Sequence, residues 1–173
     1  VLETAMVKTL DWAIEHVTST LCACLATHAA FLHLHKVSRR PLSEKRWGVF
    51  PNRVVADHPL VRNIKRRFDV PHSRWNDISA IDMRSVGQQV LVESEEAGVH
   101  LATSADGLRV IFFQGHPEYD NFSLLKEYKR EVNRFLAGEV DRYPPFPTHY
   151  FMPEMIPVLD PVSYTHLRAH ETI

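Results

Sequence analysis

A chain of 173 residues, 45% hydrophobic and 24% charged, carries enough apolar matter for one globular domain with a real core. Its 20 basic and 21 acidic residues leave a net charge of −1, so no global field recruits nucleic acid or a membrane surface. Cys22 and Cys24 stand too close together for a disulfide framework, and no run has the length of a membrane span or the pattern of a signal peptide. These features set the expectation of a cytoplasmic protein with free thiols.

The chain opens on Val1 inside what already reads as a helix, so an upstream portion is expected. Residues 4–16 place Met6, Leu10, Ala13 and Ile14 at helical spacing. Residues 17–23 (VTSTLCA) form an unbroken small or β-branched run, suited to a strand buried on both faces. Directly after Cys24, apolar residues at 25, 26, 29, 30, 32 and 34 predict a helix packed on a sheet. A loop carrying Lys36, Arg39, Arg40, Lys45 and Arg46 follows; it reads as a solvated surface, with a landing site for a phosphate-bearing cofactor as the second reading.

WGVFPNRVV (47–55) reads as two short strands broken at Pro51, and residues 58–67 as a short helical or irregular piece leading into FDVPHSRW (68–75). A helix is predicted over 78–86 with its stop at Gly87. Three strands follow at 88–94, 97–104 and 108–115, the last two joined at Ala105-Asp106-Gly107, a strong hairpin signal. Residues 122–137 form an amphipathic helix stopped at Gly138, and 143–161, with six of the eleven prolines, an extended tail.

Two elements carry chemistry. Cys24 falls where a strand turns sharply into a helix, a nucleophile elbow whose helix N-terminus favours a thiolate. A lone cysteine in such a run is ordinarily a buried structural residue. The strand 108–115, however, ends in Gly115-His116-Pro117-Glu118, with a carboxylate two residues beyond a histidine and so on the same side of an extended chain. Glu118 can fix the tautomer of His116, and His116 can take a proton from Cys24. Both elements belong at the carboxyl ends of strands, where open α/β sheets keep their sites. A metal module built from Cys22, Cys24, His28 and His33 is disfavoured because the two histidines, five apart, face different sides of a helix.

A Cys–His–Glu set with H-P-E resembles the class I glutamine amidotransferase-like superfamily. Amidotransferases of that group carry glycine two before and two after the cysteine and glutamine four after; here those positions hold Cys22, Ala26 and His28. The closer resemblance is to the homoserine O-acyltransferase family, also called homoserine O-succinyltransferases. It runs from about Leu10 to Tyr150 through HVTSTL (16–21), PLSEKRWGVF (41–50), RFDVPHSR (67–74), VLVESEEAGVHLATS (90–104), GHPEYD (115–120) and LLKEYKREV (124–132). Where many members read C-W-G-A-Q, this chain has Cys24-Leu25-Ala26-Thr27-His28 with the spacing intact.

The resemblance implies an α/β fold: a flavodoxin-like, class I glutamine amidotransferase-like three-layer sandwich with a mostly parallel sheet, lacking its N-terminal strands here. It implies Cys24 as acyl-thioester nucleophile, His116 as general base, Glu118 as its orienting group, and Lys45, Ser73 and Arg130 as substrate contacts. The implied reaction is transfer of succinyl from succinyl-CoA to the hydroxyl of L-homoserine, with acetyl-CoA as the alternative donor, in methionine biosynthesis. No permanently bound cofactor or metal is implied, acyl-CoA being a co-substrate; the partners are small molecules, and a homodimer stays open. Glutamine amidotransfer or cysteine-dependent hydrolysis is the distant rival.

The final stretch 162–173 (VSYTHLRAHETI) does not fit this pattern. Over eleven residues it resembles the translation of a transposon-based sequencing adapter. The domain is therefore taken as 1–161, the C-terminal part of an acyltransferase domain, and 162–173 as a non-native tail. His166 and His170, at i,i+4, are accordingly not read as metal ligands.

Overall fold

The computed structural model describes residues 2–157 and Leu159. The tail assigned to 162–173, and the boundary drawn after Pro161, lie outside the described residues. The rest divides between Glu118 and Tyr119 into two compact units.

In the first unit, helix α1 (Leu2–His16) leads into strand β1 (Thr20–Ala23), and Cys24 turns the chain into α2 (Leu25–His35). A long arm follows, β2 (Arg40–Val54) and β3 (Arg67–Asp77), separated by a short 3-10 turn at Pro59–Val61. Helix α3 (Ala80–Ser85), β4 (Gln89–Ser94), β5 (Gly98–Thr103) and β6 (Val110–Phe113) complete it. Ser79 caps α3 by accepting the Asp82 amide at 3.1 Å, which explains why the helix starts two residues later than its apolar pattern predicts. The hairpin expected at residues 105–107 is present, with Gly107 at φ 85 and its amide donating to the Ser104 carbonyl at 2.7 Å.

The strands form one sheet in the order β1-β6-β5-β4-β2-β3. The α/β class holds, but the sheet is mixed rather than mostly parallel. Only β1 and β6 run parallel, while β5–β6, β4–β5, β2–β4 and β2–β3 are antiparallel. The reason is connectivity. Parallel neighbours need a long crossover, whereas β4, β5 and β6 follow one another through tight turns that force antiparallel pairing.

The arm is the second departure. Pro51 does not break β2; it lies opposite Asp69 of β3. On its other edge β2 meets β4 only at Arg53 and Val54, so the missing proline N–H leaves no gap in a central ladder. A register shift between Pro41 and Arg46 places Lys45 in a bulge.

Alternation along the strands feeds two apolar clusters. Val110 and Phe112 of β6 join Leu10, Phe31 and Met83 on the face covered by α1, α2 and α3, and Ile111 packs with Leu91, Leu101 and Val61 on the other. The ring of Phe31, fully buried on α2, sits 4.7 Å from that of Phe112, which seats the helix on β6. The two helix faces differ accordingly: Thr27, His28, Ala30 and Phe31 are buried, and Leu25 and Leu32 are exposed.

In the second unit, α4 (Ser123–Leu136) buries Leu124, Tyr128 and Phe135 at the spacing its sequence predicts. Tyr128 packs with Phe146 and Phe151, so the proline-rich segment closes on this helix through aromatic contacts.

Candidate active site

The site begins with a strained backbone. Cys24 has φ 47 and ψ −109, a left-handed conformation unusual for a residue with a side chain. The turn is held from both sides. The Cys24 amide donates to the Phe113 carbonyl at 2.8 Å, and the Cys24 carbonyl accepts the His28 amide at 3.2 Å as the first helical bond of α2. The thiol therefore projects at the ends of β1 and β6, beside the first turn of α2, whose amides supply partial positive charge.

His116 arrives from the neighbouring strand. Beyond β6 the chain is pinned to β3, where the His116 amide donates to the Pro71 carbonyl at 2.9 Å. The imidazole Nδ1 donates to Glu118 Oε1 at 2.7 Å, and Nε2 lies 3.4 Å from the Ser73 carbonyl. The Cys24 thiol donates to that same carbonyl at 4.0 Å, so one backbone oxygen holds the thiol and the imidazole side by side. Burial alone would lower the His116 pKa; the hydrogen bonds and charges of Cys24 and Glu118 outweigh it and raise the value from 6.5 to about 9. The imidazole therefore carries its proton at neutral pH.

The structure thus brings Cys24, His116 and Glu118 together, and with them Ser73, though Ser73 takes part through its backbone carbonyl as well as through its position. Ser73 pairs with Trp47 across the arm, and the Lys45 ammonium lies 4.1 Å over the Trp47 ring, a cation–π contact. Lys45, Trp47 and Ser73 so form one row on the arm. Arg130 lies on α4 in the second unit, 61% exposed and paired with Glu131 at 3.1 Å. Of the basic cluster, Arg40 pairs with Asp82 at 3.0 Å.

The metal reading finds no support in the side-chain directions. Cys22 points into the apolar cluster, His28 meets Gln114, and His33 meets Asp11 at 2.6 Å. Among the described residues no cluster of His, Cys, Asp and Glu could hold a metal ion, and no helix is long and apolar enough to cross a membrane.

Sequence reasoning missed the packing beneath the site. A Cβ on Gly115 would meet His100 Nδ1 at 2.7 Å and His72 Cε1 at 3.0 Å, so the residue before His116 must be glycine. Arg74, its side chain 1% exposed, donates to the Asn76 carbonyl and to Asp77 Oδ1, each at 2.6 Å, and to the Ala97 carbonyl at 2.5 Å, fixing β3 just beyond Ser73. A buried arginine so fully satisfied leaves no local signature in sequence, because two of its acceptors are backbone carbonyls.

An elbow cysteine and a strand-end histidine stand here on a mixed sheet flanked by helices, an α/β fold shared with solved structures. Solved structures with this fold include a glutamine amidotransferase from Thermotoga maritima (TM-score 0.60, 14% identity, covering 96% of this chain and 68% of that one). Another, from Methylobacillus flagellatus, has TM-score 0.58 and 14% identity, covering 83% and 56%. At the level of sequence, residues 3–168 match the family described as homoserine O-succinyltransferase, and the chain belongs to that family. It is 61% identical over 147 residues to homoserine O-succinyltransferase of Allochromatium vinosum (84% of this chain, 41% of the relative). It is 60% identical over 151 residues to that of Methylococcus capsulatus (87% and 42%). The chain spans about two-fifths of the length of these curated relatives.

Proposed function

We propose that the protein carrying this chain transfers succinyl from succinyl-CoA to the hydroxyl of L-homoserine through a thioester on Cys24. The observation that carries this reading is the Cys24–His116–Glu118 set at the start of α2: a thiol and an imidazole nitrogen on one backbone carbonyl, with the other imidazole nitrogen held by a carboxylate at 2.7 Å. Thiolate Cys24 attacks the thioester carbonyl, and the oxyanion forms beside the backbone amides at the start of α2. Collapse expels coenzyme A, which leaves with the proton held on His116.

Acylation changes the histidine. Once the sulfur is esterified it has neither a proton to donate nor a negative charge, so both contributions of Cys24 to the raised pKa vanish while burial and the contributions of Glu118 remain, and the pKa falls. The imidazole then takes the homoserine hydroxyl proton, and the alkoxide attacks the acyl-enzyme to give the ester and free Cys24. Lys45 serves as a cationic contact for a substrate carboxylate, and Ser73 sets the wall of the acyl site. The membership of the family, whose name specifies succinyl, supports that donor over acetyl.

The test is exchange in the absence of homoserine. A covalent acyl-enzyme makes the full-length protein exchange labelled coenzyme A into succinyl-CoA, and Cys24→Ala abolishes it. Exchange that requires homoserine contradicts the two-step scheme. Release of ammonia from glutamine with no acyl transfer contradicts the reaction class.

A further inference from the structure

His28 lies four residues after the cysteine, and its surroundings show what it does there. His28 is 4% exposed, and its Nε2 lies 3.1 Å from Gln114 Oε1; Gln114 is fully buried, two residues before His116. The Gln114 amide cannot flip. Its Oε1 accepts the Ile78 amide at 2.8 Å, and its Nε2 donates to the carbonyls of Ile78 at 2.9 Å and Val99 at 3.1 Å. Oε1 is therefore an acceptor, and His28 Nε2 must carry a hydrogen.

Next to it, Thr27 Oγ1 lies 2.8 Å from the carbonyls of both Cys22 and Phe113, the latter being the carbonyl that holds the Cys24 amide. The first turn of α2 is thereby tied to β1 through Thr27 and to the strand end before His116 through His28.

We infer that His28 is a positioning residue, setting the separation of Cys24 from His116 through the buried hydrogen bond to Gln114. The path has few joints. The His28 amide bonds the Cys24 carbonyl, its side chain bonds Gln114, and two residues later the imidazole of His116 shares the Ser73 carbonyl with the thiol. Every member is buried or held on two sides. Loss of the His28–Gln114 bond therefore leaves Oε1 half-satisfied and removes the tie nearest His116, with Thr27 and the Cys24 amide holding the elbow to β6 only at Phe113. The inference deepens the acyl-transfer reading and rests on the same site, but it concerns the thiol–imidazole pair rather than the donor.

The experiment follows the pH dependence of Cys24 alkylation by iodoacetamide in the full-length protein, located by peptide mapping, for wild type, His28→Gln and His28→Leu. Glutamine keeps an N–H donor near the same place; leucine keeps volume without one. The expected result is that His28→Leu alkylates about tenfold more slowly at pH 7, with its pH profile displaced from that of wild type, whereas His28→Gln stays within about threefold of wild type. If His28→Leu does not fold, His28→Asn, whose donor is too short to reach, takes its place with the same expectation. An unchanged rate and profile in the leucine or asparagine variant, or a glutamine variant no better than leucine, overturns the inference. Alkylation needs no acyl donor, so failure of the acyl-transfer reading shows separately, as normal alkylation with no acyl-enzyme.

Discussion

Cys22 and Cys24 stand two residues apart and face opposite environments. Cys22 is 5% exposed in the apolar cluster, and burial pushes its thiol up to about 11; Cys24 is half-buried at the helix start, its thiol on the same Ser73 carbonyl as the His116 imidazole. At pH 7 a thiol of that kind is ionised to only about one part in ten thousand, so Cys22 is inert as a nucleophile. Brief iodoacetamide treatment of the native protein is expected to label Cys24 and leave Cys22 untouched until denaturant is added. Equal labelling of both in the native state contradicts the assignment.

The backbone at Cys24 is held at φ 47, a conformation costing a residue with a Cβ on the order of 1–3 kcal/mol. Cys24→Gly releases that strain, and Cys24→Ala does not. In urea unfolding the glycine variant is expected to exceed the alanine variant by about 1 kcal/mol, after the entropy glycine adds to the unfolded chain. Equal stabilities contradict a strained elbow.

Gly115→Ala drives a methyl into His100 and His72, both buried and unable to yield. Overpacking of this kind costs roughly 1–3 kcal/mol, and here the relaxation moves the residue next to His116. A fall in kcat of about a hundredfold with little change in KM is the expected outcome. Activity within twofold of wild type contradicts a tight fit beneath the imidazole.

Stability depends on pH from both sides. His72 and His100 are pushed down to about 2 and about 4, first by burial and then by the charge of Arg74. The unfolded chain takes up protons near 6.5 that the folded state refuses, so their stability is present above pH 6.5 and drains as pH falls toward 4. His116 has the opposite sign, because its raised pKa adds stability below 6.5 that is lost as pH rises through about 9. Tm measured against pH is expected to fall on both sides of neutrality, and His116→Ala to remove part of the alkaline decline only. A profile flat from pH 4 to 7 contradicts the buried neutral imidazoles.

What could be read from residues alone followed local periodicity. The strand–elbow–helix unit over 17–35, the hairpin at Gly107 and the stripe of Leu124, Tyr128 and Phe135 each declare themselves within a few residues. The long arm did not, because the pairing of Arg40 with Asp77 spans a turn and Pro51 reads as a breaker until the open edge of β2 is seen. Parallel character was overestimated for the same reason: order in the chain does not state which strands become neighbours. At the site, Cys24, His116 and Glu118 were legible as side chains, whereas the Ser73 carbonyl and the Gln114 amide act through atoms and partners that no residue pattern marks. His28 read only as part of the helix after the elbow, without any indication that its partner lies 86 residues away.

The most direct measurement is the location of the acyl group. Full-length protein mixed with succinyl-CoA alone, quenched in acid and mapped by mass spectrometry, is expected to carry one succinyl group on Cys24, discharged on addition of homoserine. Turnover with no acyl group on Cys24, or unimpaired acylation in Cys24→Ala, contradicts the account.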